Sequence, residues 1–351
     1  MDDWTLRAAM SIRGARLEHA HYVLARKRLE RALMMANPGE VIAICGPSRV
    51  GKTSCIKDVA KAQFGSPKSD GSQMPFVYVE VANESRGALL TTKALTAECL
   101  RAIHHPHYGS PELCSMAPEA FDAFIHRTPE ASLKSALERG LCALQTIWAA
   151  LDEAHHVKYV EGGVDAAVRI LDSWKCLASK ASITLVLSGS FELLDFLRRS
   201  AHLLGRLELI CFDRYKLDDI EDVRAWDKIL VTLSPFLKFS SPRESLRDWN
   251  DLLYEGSLGC IGLLLKWIRR ALSRMDPDID RFLTREHMLA SSFSKAELGQ
   301  IAEEIRHGEA AMEAWMSPSV KKKERPTPKA RKRSPKPFRR RSKRIPLGGR
   351  A

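Results

Sequence analysis

The chain has 351 residues, 45% hydrophobic and 28% charged, enough for one αβ domain with a helical appendage. No apolar run reaches the roughly 18 residues that span a bilayer, and the opening Met-Asp-Asp-Trp lacks the basic-then-apolar pattern of an export signal. The net charge of +12 is uneven: fifteen Lys and Arg against Glu324 alone put +14 between Lys321 and Arg350, leaving −2 for the remainder. These features point to a cytoplasmic protein with no membrane partner and a near-neutral folded body.

In chain order, residues 14–36 predict a helix with Leu17, Ala20, Leu24, Leu29 and Leu33 as its apolar stripe. Asn37-Pro38-Gly39 stops it. Val41–Cys45 predicts a strand, Ser54–Gln63 a helix, and Phe76–Val81 a second strand after a polar loop. Residues 87–103 and 118–139 predict helices, with His104-His105-Pro106-His107 in a loop between them that reads as metal-free, because no acidic or Cys partner has suitable spacing. Thr146–Leu151, Ile183–Leu187 and Leu207–Phe212 predict three more strands. Strands alternating with helices imply an α/β fold, a parallel five-stranded sheet covered on both faces. From Asp218 to about Met316 only helical signals remain. The expected organisation is a helical segment at 1–38, an αβα core at 39–216, a small all-helical domain at 217–316 and a basic tail at 317–351. The tail is rich in Pro and poor in core formers, so it predicts disorder in isolation. Eight cysteines without a Cys-x-x-Cys pair read as buried, reduced thiols.

Two motifs carry chemistry. Gly46-Pro47-Ser48-Arg49-Val50-Gly51-Lys52-Thr53 fits G-x-x-x-x-G-K-[ST], with a strand before it and a helix after. Such a loop turns backbone N–H groups and a helix N-terminus toward phosphates. Lys52 adds a point charge at the β/γ-phosphates, and the Thr53 hydroxyl, followed by Ser54, offers a ligand to Mg²⁺. The second motif is the strand that ends in Asp152-Glu153. Asp152 is expected at the metal, and Glu153 is expected to polarise the attacking water. His155 and His156 read as supporting or solvent-facing. The fourth strand ends Leu187-Ser188-Gly189-Ser190. Between the strands of the two motifs, Ser190, or failing it Ser188, could reach the γ-phosphate or the water. The expected cofactors are ATP and Mg²⁺, and the expected reaction is ATP hydrolysis. One phosphate loop cannot make a two-lobed motor, so an arginine from a neighbouring subunit is expected to complete the site in a ring or filament.

The chain resembles the AAA+ ATPases of the TnsC/TniB family, regulators of multi-protein DNA transposons that include CRISPR-associated ones. Four segments carry the likeness: Gly46–Thr53; Leu151-Asp152-Glu153-Ala154-His155; Leu203-Leu204-Gly205-Arg206 with Ile210–Tyr215; and Gly256–Gly262 followed by Leu264, Lys266, Trp267 and Arg269-Arg270-Ala271. Together they cover roughly residues 15–275. The resemblance implies an AAA+ core with a helical lid. It implies a matchmaker that oligomerises on double-stranded DNA, is recruited by a target-selection protein (TniQ/TnsD-like), engages a transposase and disassembles on hydrolysis. By position, Arg206 is the expected arginine finger, with Arg199 and Arg214 as competitors. The lid cation expected near Gly256–Gly262 is replaced there by glycine and apolar residues, and the nearest cation by sequence is Lys266. Arg86, Lys93, Arg26, Lys27, Arg28 and Arg31 are candidates for DNA contact. The alternatives are an NTPase of a signalling or defence assembly and a helicase- or clamp-loader-like remodeller.

Overall fold

Five short apolar runs become the strands of one sheet: β1 Val41–Cys45, β2 Phe76–Glu80, β3 Trp148–Asp152, β4 Thr184–Gly189 and β5 Leu207–Cys211. Their order is β2-β3-β4-β1-β5, and every neighbouring pair is parallel. Every residue of β1, β3 and β4 is buried. That is why these runs are continuously apolar rather than alternating: a central parallel strand faces protein on both sides. The computed structural model describes residues 3–14, 17–65, 72–81, 90–160, 162–276 and 278–317. The basic tail from 318 onward and Arg86 lie outside the described residues.

The helices are α1 Trp4–Gly14, α2 Ala20–Met35, α3 Lys52–Phe64, α4 Thr92–Ala102, α5 Pro118–Arg127, α6 Glu130–Ala143, α7 Gly163–Ala181, α8 Glu192–Leu197, α9 Ala201–Leu204, α10 Ile220–Leu233, α11 Asn250–Ser257, α12 Ile261–Leu272, α13 Arg285–Ala290 and α14 Lys295–Met316. On one face of the sheet, Leu29 of α2 and Ile56 of α3 share a core with Ile42, Trp148 and Phe212. On the other face, Leu95, Leu141 and Trp174 of α4, α6 and α7 line a layer with Val79, Ala149 and Leu185. Past β5 the chain is helical. Trp226, Trp249 and Trp267 are buried there, and each such side chain contributes about 1.5–3 kcal/mol by burial. The Trp226 Nε1–H donates to Asn250 Oδ1 at 2.9 Å and the Trp267 Nε1–H to the Met288 carbonyl at 2.8 Å, so neither indole buries an unsatisfied donor.

Several expected boundaries shift. The helix expected at 14–36 begins at Ala20, because the His19 side chain accepts the Tyr22 N–H and caps it. A separate helix, α1, precedes it. Trp4, Ala8 and Ile12 form its buried stripe, and the Trp4 indole donates to the Asp280 carbonyl at 3.1 Å. The helix expected at 87–103 spans Thr92–Ala102 behind a Thr91 cap; residues 82–89 lie outside the described residues. The stretch 118–139 divides into α5 and α6 at Thr128-Pro129. Proline lacks an N–H and pushes the residue before it out of the helical region, and Thr128 sits at φ −65°, ψ 129°. The cysteines are all free, yet Cys142 and Cys176 are exposed rather than buried.

Candidate functional site

The phosphate loop follows β1 and ends at Gly51, the residue before α3. Val50 and Lys52 are buried, Ser48, Arg49 and Ser54 are exposed, and Gly51 and Thr53 are half-buried. The Lys52 side chain curls under the loop, and its Nζ donates to the carbonyls of Gly46 at 2.9 Å and Pro47 at 2.8 Å. Burial lowers its pKa, against the pull of the Glu153 and Asp152 carboxylates.

Parallel pairing in the order β3-β4-β1 brings the second motif beside the first. Thr53 Oγ1 donates to Asp152 Oδ2 at 2.5 Å. Burial works to raise the Asp152 pKa, but hydrogen bonds from Thr53, Tyr78 and the Glu153 N–H help to hold the pKa below the usual carboxylate value. An ionised carboxylate facing a hydroxyl is a hard-oxygen donor set, which fits Mg²⁺. Tyr78 was not anticipated from the sequence. Its hydroxyl donates to Asp152 Oδ2 at 2.8 Å from the adjacent strand β2, and the Lys57 ammonium lies 4.1 Å from its ring centroid.

Glu153 takes a left-handed backbone, φ 53°, and lines the same cavity as Lys52 and Thr53. Burial first, and then the Asp152 charge, raise its pKa. Ser190 is 4% exposed and its Oγ has no hydrogen-bond partner among the described residues. The Ser190 backbone N–H donates to His155 Nδ1 at 3.3 Å, so that nitrogen is an acceptor and the ring proton sits on Nε2. Burial, then His156, push the His155 pKa down to about 4. The neutral ring lies 3.3 Å from Glu153 Oε2 but cannot donate to it from Nδ1. His155 thus steadies the tip of β4 and leaves the Glu153 carboxylate unclaimed. His156 Nδ1 lies 2.6 Å from the Val81 carbonyl.

A cavity of about 970 Å³ runs from the loop, between the α1–α2 region and α12. The lid contributes Gly262, Leu265 and Arg269, spaced three and four apart and therefore on one helix face. The Gly262 N–H donates to the Arg49 carbonyl at 2.9 Å, and a Cβ at Gly262 would fall 2.1 Å from that oxygen. Only glycine lets α12 come this close to the phosphate loop. The lid cation at the cavity is Arg269, not Lys266. Lys266 lies one position round the helix, with its ammonium 5.5 Å from the Phe293 ring centroid.

The three candidate fingers have different surroundings. Arg206 is exposed and immediately precedes β5, whose Leu207 pairs with Val41 at the start of β1. At about 3.3 Å per residue, the length of β1 puts about 16 Å between Arg206 and the phosphate loop of its own chain. Arg199 is also exposed. Arg214 is committed within its own chain: Nε and Nη2 donate to Glu309 at 2.9 and 3.1 Å, and Nη1 to the Tyr254 hydroxyl at 3.3 Å. Among the basic candidates for DNA contact, Lys93 donates to the His126 carbonyl, and Arg26 pairs with Glu30 and Glu18. Lys27, Arg28 and Arg31 are exposed.

Residues 36–197 match the AAA domain family. No curated protein sequence matches the chain. Among solved structures, the ORC2 protein of Aeropyrum pernix in its ADPNP–ADP complexes is similar at 17% identity and a TM-score of 0.52, over 79% of this chain and 69% of that one. The Walker-type ATPase of Pyrococcus abyssi is similar at 17% identity and 0.45, over 84% and 75%. The ORC1 protein of Aeropyrum pernix in complex with DNA is similar at 16% identity and 0.46, over 77% and 64%. The chain has the P-loop AAA+ fold, with a five-stranded parallel sheet followed by a helical region. No helix among the described residues is long and apolar enough to cross a membrane.

Proposed function

We propose that this chain is an ATP-hydrolysing AAA+ regulator of DNA transposition. It oligomerises on duplex DNA, links a target-selection protein to a transposase, and comes apart as ATP is hydrolysed. The observation that carries the ATPase part is the convergence of Lys52, Thr53, Glu153 and Arg269 on one cavity. The transposon part rests on the resemblance. The two segments most particular to it, Ile210–Tyr215 and Gly256–Gly262, meet at the hinge of the lid. The Tyr215 N–H donates to the Gly259 carbonyl at 3.0 Å, and Arg214 Nη1 donates to the Leu258 carbonyl at 3.4 Å. One end of that hinge touches the phosphate loop through Gly262. A change in what the loop holds is therefore felt by the lid, as a nucleotide-driven assembly switch requires. Residues 39–216 form the catalytic core of this scheme and 217–316 its lid.

In this reading the loop N–H groups and Lys52 bind the phosphates. Thr53 and Asp152 would hold Mg²⁺, which would neutralise phosphate charge. Glu153 accepts hydrogen-bond donation from the attacking water and draws its proton away, a task suited to a carboxylate with a raised pKa. Ser190 turns its free hydroxyl to the γ-phosphate or the water. Arg269 contributes a lid cation in the same chain, and Arg206 reaches the site of a neighbouring copy. Arg269→Ala should weaken ATP binding by the value of a hydrogen bond to a charged group, about 1.5–3 kcal/mol or roughly 10- to 100-fold. Lys266→Ala should leave it unchanged. Titration of a fluorescent ATP analogue into both variants checks this, and equal effects would return the role to Lys266.

Two measurements test the regulator. The first is co-purification with an integrase-like transposase; failure to retain one in ATP favours the signalling or defence reading. The second is deletion of residues 318–351. As a nucleic-acid arm, the tail's +14 neutralises phosphates, each contributing about −0.9 to the slope of log K against log salt. Truncation should weaken duplex binding at low salt and flatten that slope, while basal ATPase persists because the site residues end at Arg269. An unchanged slope with lost partner recruitment would make the tail a docking segment instead.

A further inference from the structure

The carboxylate assigned to the metal has a holder that the nucleotide scheme does not use. Tyr78 stands on β2 opposite Ala150 of β3. Asp152 lies two residues further along β3 and therefore on the same face of the sheet. An aromatic side chain can span that diagonal, and the Tyr78 hydroxyl donates to Asp152 Oδ2 at 2.8 Å. The half-buried ring is fixed by its surroundings. It packs against the core that contains Trp148 and Ala150, and the Lys57 ammonium sits 4.1 Å from its centroid. Lys57 follows Thr53 by four residues on α3, one turn along the same helix face. Tyr78 thus touches both the helix that carries Thr53 and the strand that carries Asp152.

An ionised carboxylate offers about four lone-pair positions, two on each oxygen. At Asp152, Oδ2 accepts from Thr53 Oγ1 at 2.5 Å and from Tyr78, and Oδ1 accepts the Glu153 N–H at 3.0 Å. With these partners Oδ2 is full and Oδ1 keeps one position open. Thr53 gives its proton to Oδ2 and so keeps the lone pairs of its own oxygen to offer a cation. Asp152 can meet that cation, or a water on it, through Oδ1 alone. Contact through one oxygen suits Mg²⁺, which keeps several waters and demands near-octahedral geometry. It disfavours Ca²⁺, which takes more oxygens and accepts both oxygens of one carboxylate.

We propose that Tyr78 is a positioning residue that sets cation specificity at the nucleotide. By occupying Asp152 Oδ2 it keeps the carboxylate from gripping a cation with both oxygens, and so favours Mg²⁺ over Ca²⁺. This role rests on the nucleotide-site reading above and concerns binding, so its readout does not depend on turnover.

The test is Tyr78→Phe in the full-length chain, which keeps the ring and its seat under Lys57 and removes only the hydroxyl. A fluorescent ATP analogue is titrated first without divalent cation, then at fixed nucleotide with rising Mg²⁺ or Ca²⁺. Affinity without cation should match the parent. The Mg²⁺ concentration for half-saturation should rise about 10- to 100-fold, the usual effect of losing a hydrogen-bond partner of a metal ligand. The Ca²⁺ value should rise less or fall, so the preference for Mg²⁺ narrows by at least about fivefold. Mn²⁺, which reports its own bound fraction by paramagnetic resonance, should weaken in parallel with Mg²⁺. An unchanged preference for Mg²⁺ over Ca²⁺ overturns the proposal. Equal losses with and without cation also overturn it, because they make Tyr78 a packing residue. A parent chain whose nucleotide binding ignores divalent cations removes the metal assignment of Thr53 and Asp152, and this role with it. A parent that responds, beside a Tyr78→Phe variant that matches it, removes the role of Tyr78 alone.

Discussion

Glu153→Gln is expected to slow ATP hydrolysis about 10²- to 10⁴-fold, the usual contribution of a positioned general base, with nucleotide affinity close to that of the parent. The amide keeps the shape and position of the side chain at the cavity wall but cannot take a proton from water. Three features suit this residue to the proposed role of base. Its pKa is raised by burial and by Asp152. Its neighbour His155 offers it no donor at Nδ1. The other carboxylate, Asp152, is engaged by Thr53 and Tyr78. Lys52→Ala is the contrasting variant: it removes the buried cation of the loop and should abolish binding itself. The pair separates chemistry from affinity when turnover and equilibrium binding are measured side by side. A Glu153→Gln variant that turns over normally would transfer the base role to another residue. If both variants retain turnover, the cavity is not the hydrolytic site. In an assembling system Glu153→Gln should also accumulate the ATP-bound oligomer on DNA, because disassembly follows hydrolysis.

Arg206→Ala should leave nucleotide binding by isolated subunits intact and cut turnover in the assembly about 10³-fold or more, the effect of removing an arginine finger. The geometry predicts action between subunits. Arg206 sits at the N-terminal edge of β5, the phosphate loop at the C-terminal end of β1, and the two strands are parallel. No side chain covers the roughly 16 Å between them, so any effect on hydrolysis has to reach a neighbour. Mixing Arg206→Ala with Lys52→Ala subunits should restore part of the activity, since an interface can then combine an intact loop with an intact finger. Absence of rescue, together with parent-like assembly of Arg206→Ala, would assign the finger to Arg199. Arg214 is the weaker competitor, because its guanidinium is held by Glu309 and would first have to leave that pair.

The phosphate loop, the Asp152-Glu153 pair and all five strands were legible in the sequence because each is local. A strand, a turn and the start of a helix fit within a dozen contiguous residues, and their apolar runs are dictated by burial in a parallel sheet. The intervening position of β4 and the placement of Ser190 at its tip followed from the same pattern. Tyr78 was not legible, because its meeting with Asp152 depends on β2 pairing with β3 across some seventy residues of intervening chain. Its signal was limited to a tyrosine in an otherwise apolar strand. The sequence does not distinguish Arg269 from Lys266, since the rotation of α12 is decided by which side chains the lid buries. Helix α1 escaped notice because its stripe of Trp4, Ala8 and Ile12 is interleaved with the exposed apolar residues Leu6 and Met10, which blurs the amphipathic contrast. The break at Thr128-Pro129 was available from the proline alone. The sequence by itself thus determined the candidate chemistry of the site, because the groups proposed to hold phosphate and metal sit on contiguous strand–loop–helix segments. Only the tertiary structure decided which lid cation faces the cavity, and that Arg206 and Arg199 lie exposed while Arg214 is paired within the chain. Those outcomes depend on packing between elements far apart in the chain, and packing selects among faces that local sequence leaves equivalent.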